Sequence, residues 1–316
     1  MASVFVTGGS GFIGTAFVRA AVAAGLDVRA LARSGASVAR LRALGAMPVE
    51  GDVLDESGAW RAAAADSDHV AHLAQPQTYG GRITDARARR WREERLQMDR
   101  ALLGALDAAR VPNVVYVAGT SFYGDCGADV PHDENVEPRP RGWGPYVAVA
   151  LEAVRGYRER GLPIIEAFPG WVYGPGSWFA EYILTPLHAG KPITALSGRS
   201  HITSSVHVDD CARALVHLLT AGEPGRRYFV VDDAPVESEK LGRAAAAALG
   251  VPFRSRNVHP LICRLLLGRI VTESLQYENR LSNGRLRATE FVPAFPTYET
   301  GVPDAVATWL REHYHN

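Results

Sequence analysis

Short apolar runs alternate with longer stretches of helical periodicity along most of this chain. The runs are bounded by turn residues and predict strands at 4–6, 28–33, 47–53, 69–74, 113–118 and 228–231. Helices are predicted from position 12 to about Gly25, over 37–44, up to Ala109 and over Leu241–Leu249. This alternation is typical of a doubly wound parallel sheet of the Rossmann type, an α/β fold. The last third of the chain predicts a smaller C-terminal substrate-binding region.

The first apolar run leads directly into glycines at positions 8, 11 and 14. The first glycine permits a tight turn, the second a close approach of the backbone to a pyrophosphate, and the third close packing of helix on strand. The N-terminus of the helix then presents free N–H groups and the positive end of its dipole. An ordinary glycine-rich turn is the alternative, but the strand before and the helix after favour a dinucleotide site. Its predicted contacts are Thr7, Gly8, Ser10, Gly11, Phe12, Ile13 and Gly14.

The end of the second predicted strand indicates which dinucleotide binds. NAD-binding chains carry Asp or Glu there, about 20 residues after the glycines, to accept from the ribose 2′-hydroxyl. This chain has Arg33 and Ser34 instead, a cation and a hydroxyl that suit a 2′-phosphate. A solvated loop arginine is the alternative. We expect NADPH in preference to NADH.

Composition excludes several partners. The chain has 316 residues, 47% of them hydrophobic, and 34 basic side chains balance 34 acidic ones. This balance gives no reason to expect nucleic acid or an anionic membrane as a partner. Since no apolar run reaches about 18 residues and the chain begins almost at once with a strand, neither a membrane span nor a signal peptide is expected. Cys126, Cys211 and Cys263 are widely spaced, which favours a reduced cytoplasmic protein. The sequence has no cluster of metal ligands, so no metal site is expected, and we expect a monomer or homodimer.

Several further motifs resemble one known family. They are Gly51-Asp52-Val53, His72-Leu73-Ala74, Val117 to Asp125, Pro169 to Gly176 and Val206 to Asp210. In order and spacing they are similar to the extended and atypical short-chain dehydrogenase/reductases, the NAD-dependent epimerase/dehydratase group. The resemblance implies further cofactor contacts at Asp52, Val53, Leu73, Ala74, Gln75, Pro169 and Val172. We therefore assign residues 1–172, with elements of 206–232, to an NADP-binding Rossmann domain, and 173–205 and 233–316 to the substrate-binding region.

The catalytic residues of that family are mostly missing here. The family uses a Ser or Thr to hold the carbonyl oxygen, a Tyr to move the proton and a Lys to lower the pKa of that Tyr. The matching tyrosine is Tyr146, but Ala150 stands at the lysine position and Gly119 at the serine position. A phenol with no cation beside it has a pKa near 10, so Tyr146 is at most an orienting hydrogen-bond donor. Thr120 and Ser121 are the remaining catalytic candidates, although strand alternation would point them in different directions.

This loss of the triad resembles atypical reductases of aromatic polyketide biosynthesis, of the angucyclinone ketoreductase type that occurs in the simocyclinone pathway. The resemblance implies NADPH-dependent reduction of a quinone-type ketone in antibiotic biosynthesis. A phenol or enol beside that ketone supplies the proton, so the protein provides position and electrostatics. Two alternatives stay open: a sugar-nucleotide epimerase or dehydratase, and a regulator that binds NADP(H) without catalysis.

The substrate region contains an aromatic stretch after the third glycine-rich motif. We predict substrate contacts at Tyr173, Trp178, Phe179, Tyr182 and His201. Core packing of a helix is the alternative for the aromatic stretch, and a surface position is the alternative for His201. The arginine-rich stretch 82–95 is interpreted as a solvated helix face or as the edge of a substrate mouth. The apolar stretch 260–268 is a lid or a surface for a partner subunit. His72, inside the fourth strand, is interpreted as a packing residue.

Overall fold

Seven parallel strands form one sheet at the centre of the molecule, in a computed structural model that describes residues 1–77, 82–197 and 201–314. The strands of the chain are β1 Ser3–Thr7, β2 Asp27–Ala32, β3 Met47–Glu50, β4 His69–His72, β5 Asn113–Val117, β6 Gly127–His132, β7 Ile164–Pro169, β8 Trp171–Tyr173, β9 Ile193–Leu196, β10 Ile202–Thr203, β11 Ser205–His207, β12 Arg227–Val230, β13 Val236–Glu237, β14 Ser255–Val258 and β15 Asn279–Leu281. The order in the large sheet is β12-β7-β5-β4-β1-β2-β3. The Rossmann-type α/β fold predicted from the sequence is confirmed.

Helices cover both faces of this sheet. They are α1 Phe12–Ala23, α2 Gly35–Ala43, α3 Trp60–Ala65, α4 Asp85–Leu103, α5 Gly144–Glu159, α6 Ser177–Phe179, α7 Thr185–His188, α8 Val208–Ala221, α9 Ser238–Leu249, α10 Pro260–Leu267, α11 Arg269–Ser274, α12 Gly284–Arg287 and α13 Tyr298–Tyr314. A 3₁₀ helix spans Thr120–Phe122, and a π-helical turn spans Ala180–Leu184. Within the described ranges, no helix combines the length and the apolar character needed to cross a bilayer.

The central strands read as continuous apolar runs because they are buried on both faces. Val4 and Val6 of β1 belong to the core on the side of α1 and α8, whereas Phe5 belongs to the core that includes α4 and α5 residues. Alternating side chains of one strand thus supply two cores. A third core joins residues from 173–193 to α9 and α13. Among the described residues, the remaining strands pair in four two-stranded sheets.

The direction of the chain reverses at β1. The chain runs from β1 outward to β2 and β3, and then returns to β4 on the other side of β1. The loops that follow β1 and β4 therefore diverge at the carboxyl edge of the sheet. Such a reversal point creates the crevice in which open α/β sheets bind ligands.

A buried ionic network lies directly below this crevice. Arg95 on α4, 2% exposed, donates from Nε to Asp99 Oδ1 at 3.0 Å, and His72 Nε2 donates to the same oxygen at 3.0 Å. Burial alone would raise the pKa of Asp99, but the Arg95 charge and the His72 hydrogen bond outweigh it and lower that pKa. Burial lowers the pKa of His72, which keeps the imidazole neutral, so its Nδ1 accepts from the Thr7 hydroxyl at 2.6 Å. His72 is thus a packing residue, as the sequence indicated.

Arg95 also corrects the interpretation of the arginine-rich stretch. Arg82, Arg87, Arg89 and Arg90 are exposed, in agreement with a solvated helix face. Arg95 instead points into the protein and donates from Nη1 to the Ala74 carbonyl at 2.8 Å and from Nη2 to the Val117 carbonyl at 3.3 Å. It is therefore neither a surface residue nor part of a substrate mouth.

We predict that Arg95→Met destabilises the protein by about 3–5 kcal/mol, because it removes one partner of a buried pair and leaves the Asp99 carboxylate uncompensated. Arg90→Ala is the matched control, since Arg90 forms an exposed pair with Glu94 on the same helix, worth less than about 1 kcal/mol. Urea denaturation at pH 7 measures both. Equal, small losses in the two variants would contradict a central role for the network.

Candidate active site at the carboxyl edge of the sheet

One cleft of about 620 Å³ opens at the carboxyl ends of the central strands. It brings together most of the predicted cofactor residues with Thr120, Ser121 and Trp178. Its described lining is Gly8, Ser10, Gly11, Phe12, Ile13, Gly14, Leu31, Arg33, Ser37, Gly51, Asp52, Val53, Leu73, Ala74, Gln75, Met98, Gly119, Thr120, Ser121, Pro169, Gly170, Trp171, Val172, Ser177, Trp178 and Tyr277. Sequence-distant segments therefore converge on one elongated site.

The glycine loop fits a pyrophosphate for steric reasons. Gly8 has φ +74°, and a Cβ there would lie 2.7 Å from the Ala74 nitrogen. A Cβ on Gly14 would lie 2.0 Å from the Gly8 carbonyl oxygen, so only glycine lets α1 start this close to β1. Gly11 at the N-cap has no side chain to occupy the first N–H groups of α1, which leaves them available to an anion.

The end of the cleft beyond β2 and β3 carries its charged groups. Arg33 is exposed and Asp52 accepts from the Leu54 N–H at 3.0 Å. Ser34 does not line the cleft; its hydroxyl caps α2 by accepting from the Ser37 N–H at 3.3 Å. Ser37, which the sequence analysis missed, lines the cleft instead. No acidic residue follows β2 directly.

The middle of the cleft lies between β1 and β4. Leu73 and Ala74 line it, and Gln75 donates to the Val117 carbonyl at 3.2 Å. Thr7 is fully buried behind this wall, where its hydroxyl oxygen accepts from the Ala74 N–H at 3.3 Å. Thr7 thus supports the cleft from behind instead of facing it.

Thr120 and Ser121 both line the far end of the cleft, beyond β5. The expectation that adjacent side chains diverge assumed a continuing strand. The strand ends at Val117, and Thr120 begins a 3₁₀ helix, so the alternation of a strand does not apply to these two residues. Both catalytic candidates are therefore in the cleft.

Tyr146 lies elsewhere among the described residues. Its ring packs beside Trp143 and against the small cluster of Ile83, Ala88 and Ile270, and it is not part of the cleft lining. Ala150, at the family's lysine position, is 2% exposed. The tyrosine that the sequence motif singles out has neither its lysine nor a place on the cleft wall.

The predicted substrate residues divide between cleft, core and surface. Trp178 lines the cleft and donates from its indole to the Val172 carbonyl at 2.8 Å. Tyr173 and Phe179 are fully buried in the third core, which is the packing alternative, and Tyr182 is 56% exposed. His201 lies with Nδ1 3.8 Å from Glu278 Oε1, outside the described lining.

The apolar stretch 260–268 forms α10, whose Cys263 faces inward. Leu261, Ile262, Leu265 and Leu266 are all more than half exposed. The helix end is fixed to the start of α4, since Ile83 N–H donates to the Leu267 carbonyl at 2.9 Å. The choice between lid and partner surface stays open.

Tyr277 is a further cleft residue that sequence reasoning missed. It follows α11, belongs to none of the family motifs and is 4% exposed. Burial raises the pKa of its phenol to about 12, although interactions with the Thr120 hydroxyl and the Trp171 indole oppose that rise. No local pattern marked this residue, because its position depends on contacts far away in the sequence.

Fold and cleft together define a dinucleotide-binding α/β protein. The model of the NAD dependent epimerase/dehydratase family matches residues 4–231, and this chain belongs to that family. A Stigmatella aurantiaca relative, 4-hydroxy-2-methyl-3-oxo-4-farnesyl-3,4-dihydroquinoline-1-oxide ketoreductase, is 29% identical over 74% of this chain and 69% of its own length. The chain is thus an oxidoreductase-type enzyme of a family that uses nicotinamide cofactors.

Solved structures show the same fold. The dTDP-glucose 4,6-dehydratase DesIV from Streptomyces venezuelae, crystallised with NAD and TYD, superposes with a TM-score of 0.80 at 24% identity, covering 99% of this chain and 98% of that one. The human epimerase family protein SDR39U1 with NADPH gives a TM-score of 0.77 at 20% identity, over 96% and 99% of the two chains. Since these neighbours hold different nicotinamide cofactors, they leave the choice between NAD and NADP open.

A buried carboxyl group lies outside the cleft lining, at the end of β12. Asp232, 3% exposed, accepts from the Ser205 hydroxyl at 3.1 Å and from the Tyr173 phenol at 3.5 Å. Burial raises its pKa to about 8; the Ser205 hydrogen bond opposes this shift, and the nearby Asp210 charge adds to it. At neutral pH the folded protein therefore keeps a proton on this group.

We predict that Asp232 makes the protein less stable as pH rises. In the folded protein the pKa of Asp232 is about 8, above its ordinary value of 3.8. The contribution of protonated Asp232 to stability is therefore complete below pH 3.8 and is lost as pH rises through about 8. Asp232→Asn lacks this titration, so its stability relative to the wild type should increase between pH 5 and pH 9. Urea denaturation across that range tests this; parallel curves for the two proteins would contradict it.

Proposed function

We propose that this protein is an NADPH-dependent ketoreductase that acts on an aromatic polyketide ketone of the angucyclinone or quinone type, in antibiotic biosynthesis. The observation that carries the proposal is the distribution of charge in the cleft. Among its described lining residues, the charged side chains are Arg33 and Asp52, both beyond β2 and β3. The opposite end offers Trp171, Trp178 and hydroxyl groups, which suit a flat aromatic ligand.

The proton for the reduced oxygen comes from the substrate in this proposal. Tyr146 packs against Ile83, Ala88 and Ile270 and is not among the described lining residues, and the family's lysine position is occupied by Ala150. A phenol or enol next to the ketone places its proton beside the reacting oxygen, so the protein needs only to orient the ligand. The chemistry that a bound NADPH brings to the cleft is hydride donation from its nicotinamide ring.

The alternative is a sugar-nucleotide dehydratase or epimerase, which the structural likeness to DesIV supports. A nucleoside diphosphate carries two negative charges that protein sites commonly neutralise with Arg or Lys. Beyond β5 the described lining provides neither residue type. The relative named as a ketoreductase favours the ketone.

We predict that the enzyme oxidises NADPH with polycyclic aromatic ketones and prefers those with a phenol beside the carbonyl. 8-Hydroxy-1-tetralone and 1-tetralone form a matched pair that differs by that phenol. The loss in kcat/KM without it should be at least about 100-fold, the low end for general acid catalysis. Tyr146→Phe should retain most of the activity. NADPH absorbance at 340 nm measures these rates.

Two experimental results would indicate a different function. Turnover of dTDP-glucose together with inactivity on the whole ketone panel would support the sugar-nucleotide alternative. NADPH binding with no turnover of either class would indicate a non-catalytic binder. Both results contradict the ketoreductase proposal.

We predict that Arg33→Ala weakens NADPH binding by about 10- to 100-fold, because a charge-assisted contact contributes about 1.5–3 kcal/mol. Binding of NADH should change by less than about twofold, since NADH has no 2′-phosphate for the arginine to contact. Arg42→Ala is the control: Arg42 is also exposed on the neighbouring helix α2 but does not line the cleft. Calorimetric titration measures both affinities. If the variant bound NADPH and NADH with equally reduced affinity, Arg33 would not determine the cofactor preference.

A further inference from the structure

Tyr277 lies at the end of the cleft where the substrate must react. The sheet order puts Arg33 and Asp52 beyond β2 and β3, and the glycine loop after β1 lies between them and β4. A dinucleotide with its pyrophosphate on that loop and its adenosine on the side of Arg33 extends its other half over β4 and β5. Tyr277 lines this second half together with Thr120.

The tyrosine is firmly placed although it lies in a turn. Its own N–H donates to the Glu273 carbonyl at 3.3 Å, which fixes it to the end of α11. On its other side β15 pairs with β6, and Leu281 N–H donates to the Ser204 hydroxyl at 2.8 Å. With 4% of its surface exposed, the ring has little freedom, and the residue contributes a fixed part of the cleft lining.

The side chains at this end of the cleft leave one hydrogen-bond donor available to a ligand. The indole of Trp171 is only a donor, and it interacts with the Tyr277 phenol. The phenol and the Thr120 hydroxyl also interact, and one hydrogen serves a contact between two hydroxyls. A Thr120 hydroxyl that donates to the phenol oxygen leaves the phenol its own hydrogen for the cleft, which both residues line.

We propose that Tyr277, supported by Thr120, donates the hydrogen bond that holds the substrate's ketone oxygen. This inference rests on the proposed ketoreductase function. It assigns to a residue of the C-terminal region the oxygen-holding role that the residue at position 119 plays in the family. Because the phenol pKa is about 12, Tyr277 stays protonated across the neutral range and keeps its hydrogen available.

The reaction step balances without an additional reagent. A bound NADPH would supply the hydride to the carbonyl carbon, and the π pair of the C=O bond would then move onto oxygen. The Tyr277 hydrogen bond stabilises this developing charge and strengthens as it forms. The proton that ends on the oxygen comes from the neighbouring phenol of the substrate, and water reprotonates that phenolate. Tyr277 keeps its own proton throughout.

Tyr277→Phe tests the proposal, because it removes the hydroxyl and keeps the ring. We expect kcat for 8-hydroxy-1-tetralone to fall by about 100-fold, the scale for losing one donor to a developing oxyanion. The dissociation constant for NADPH and the melting temperature should stay close to those of the wild type. Tyr157→Phe is the matched control: Tyr157 lies on α5 beside Arg160, outside the cleft lining, and its variant should keep the wild-type rate.

A vibrational measurement separates this role from a structural one without requiring turnover. In the dead-end complex with NADP⁺ and carbonyl-¹³C-labelled 8-hydroxy-1-tetralone, a hydrogen bond from Tyr277 lowers the carbonyl stretching frequency. The frequency should rise in Tyr277→Phe and stay unchanged in Tyr157→Phe. A reduced kcat with an unchanged frequency would assign Tyr277 a structural role and overturn the proposal.

The remaining outcomes are also decisive. If the wild type reduces the ketone and Tyr277→Phe does so equally well, the inference fails while the proposed function stands. If the wild type reduces no ketone of the panel, the proposed function fails and the inference fails with it. A lower rate and a raised carbonyl frequency together support Tyr277 as a catalytic residue.

Discussion

The cleft depends on a single buried cation. Arg95 reaches from α4 to the ends of two strands, where its Nη atoms hold the carbonyls of Ala74 and Val117, while Nε is bound to Asp99. A buried guanidinium is costly unless every N–H finds a partner, so this set of acceptors fixes the helix and both strand ends in one arrangement. Those strand ends form the middle and far walls of the site. The geometry of these walls is therefore set by residues that are not themselves among the described cleft lining.

The cleft has two halves that differ in kind. The half around the glycine loop is defined by steric limits, because side chains at Gly8 and Gly14 would collide with backbone atoms. The other half carries hydroxyls and indoles in place of the family's catalytic groups, with Gly119 and Ala150 at the altered positions. In this fold, the residues that bind the nucleotide are thus distinct from the residues that would transfer a proton. The first belongs to short local segments, whereas the second depends on side chains gathered from several distant ones.

The same distinction explains what the sequence could predict. The glycine loop, the strands of the large sheet and the class of fold follow from neighbouring residues, so motif and periodicity were sufficient. Arg95 was not recognisable inside an arginine-rich helix, because its burial depends on His72, Tyr116 and carbonyls more than 20 residues away. Ser34 caps α2 where it was predicted to contact the cofactor, and Ser37 lines the cleft. Tyr277 also lines the cleft, and it lies two residues before β15, which pairs with the distant strand β6.

A protonated phenol at the reacting end has a chemical consequence for the ligand. With its pKa raised to about 12, Tyr277 is a durable hydrogen-bond donor but poorly matched to proton transfer at neutral pH, where the best acids have pKa values near the working pH. An enzyme built this way gains from a substrate that carries its own acid. An aromatic phenol beside a ketone places that acid within reach of the oxygen, and its flat ring suits Trp171 and Trp178. The missing lysine and the aromatic walls therefore agree with the ligand that we propose, a ketone with a neighbouring phenol.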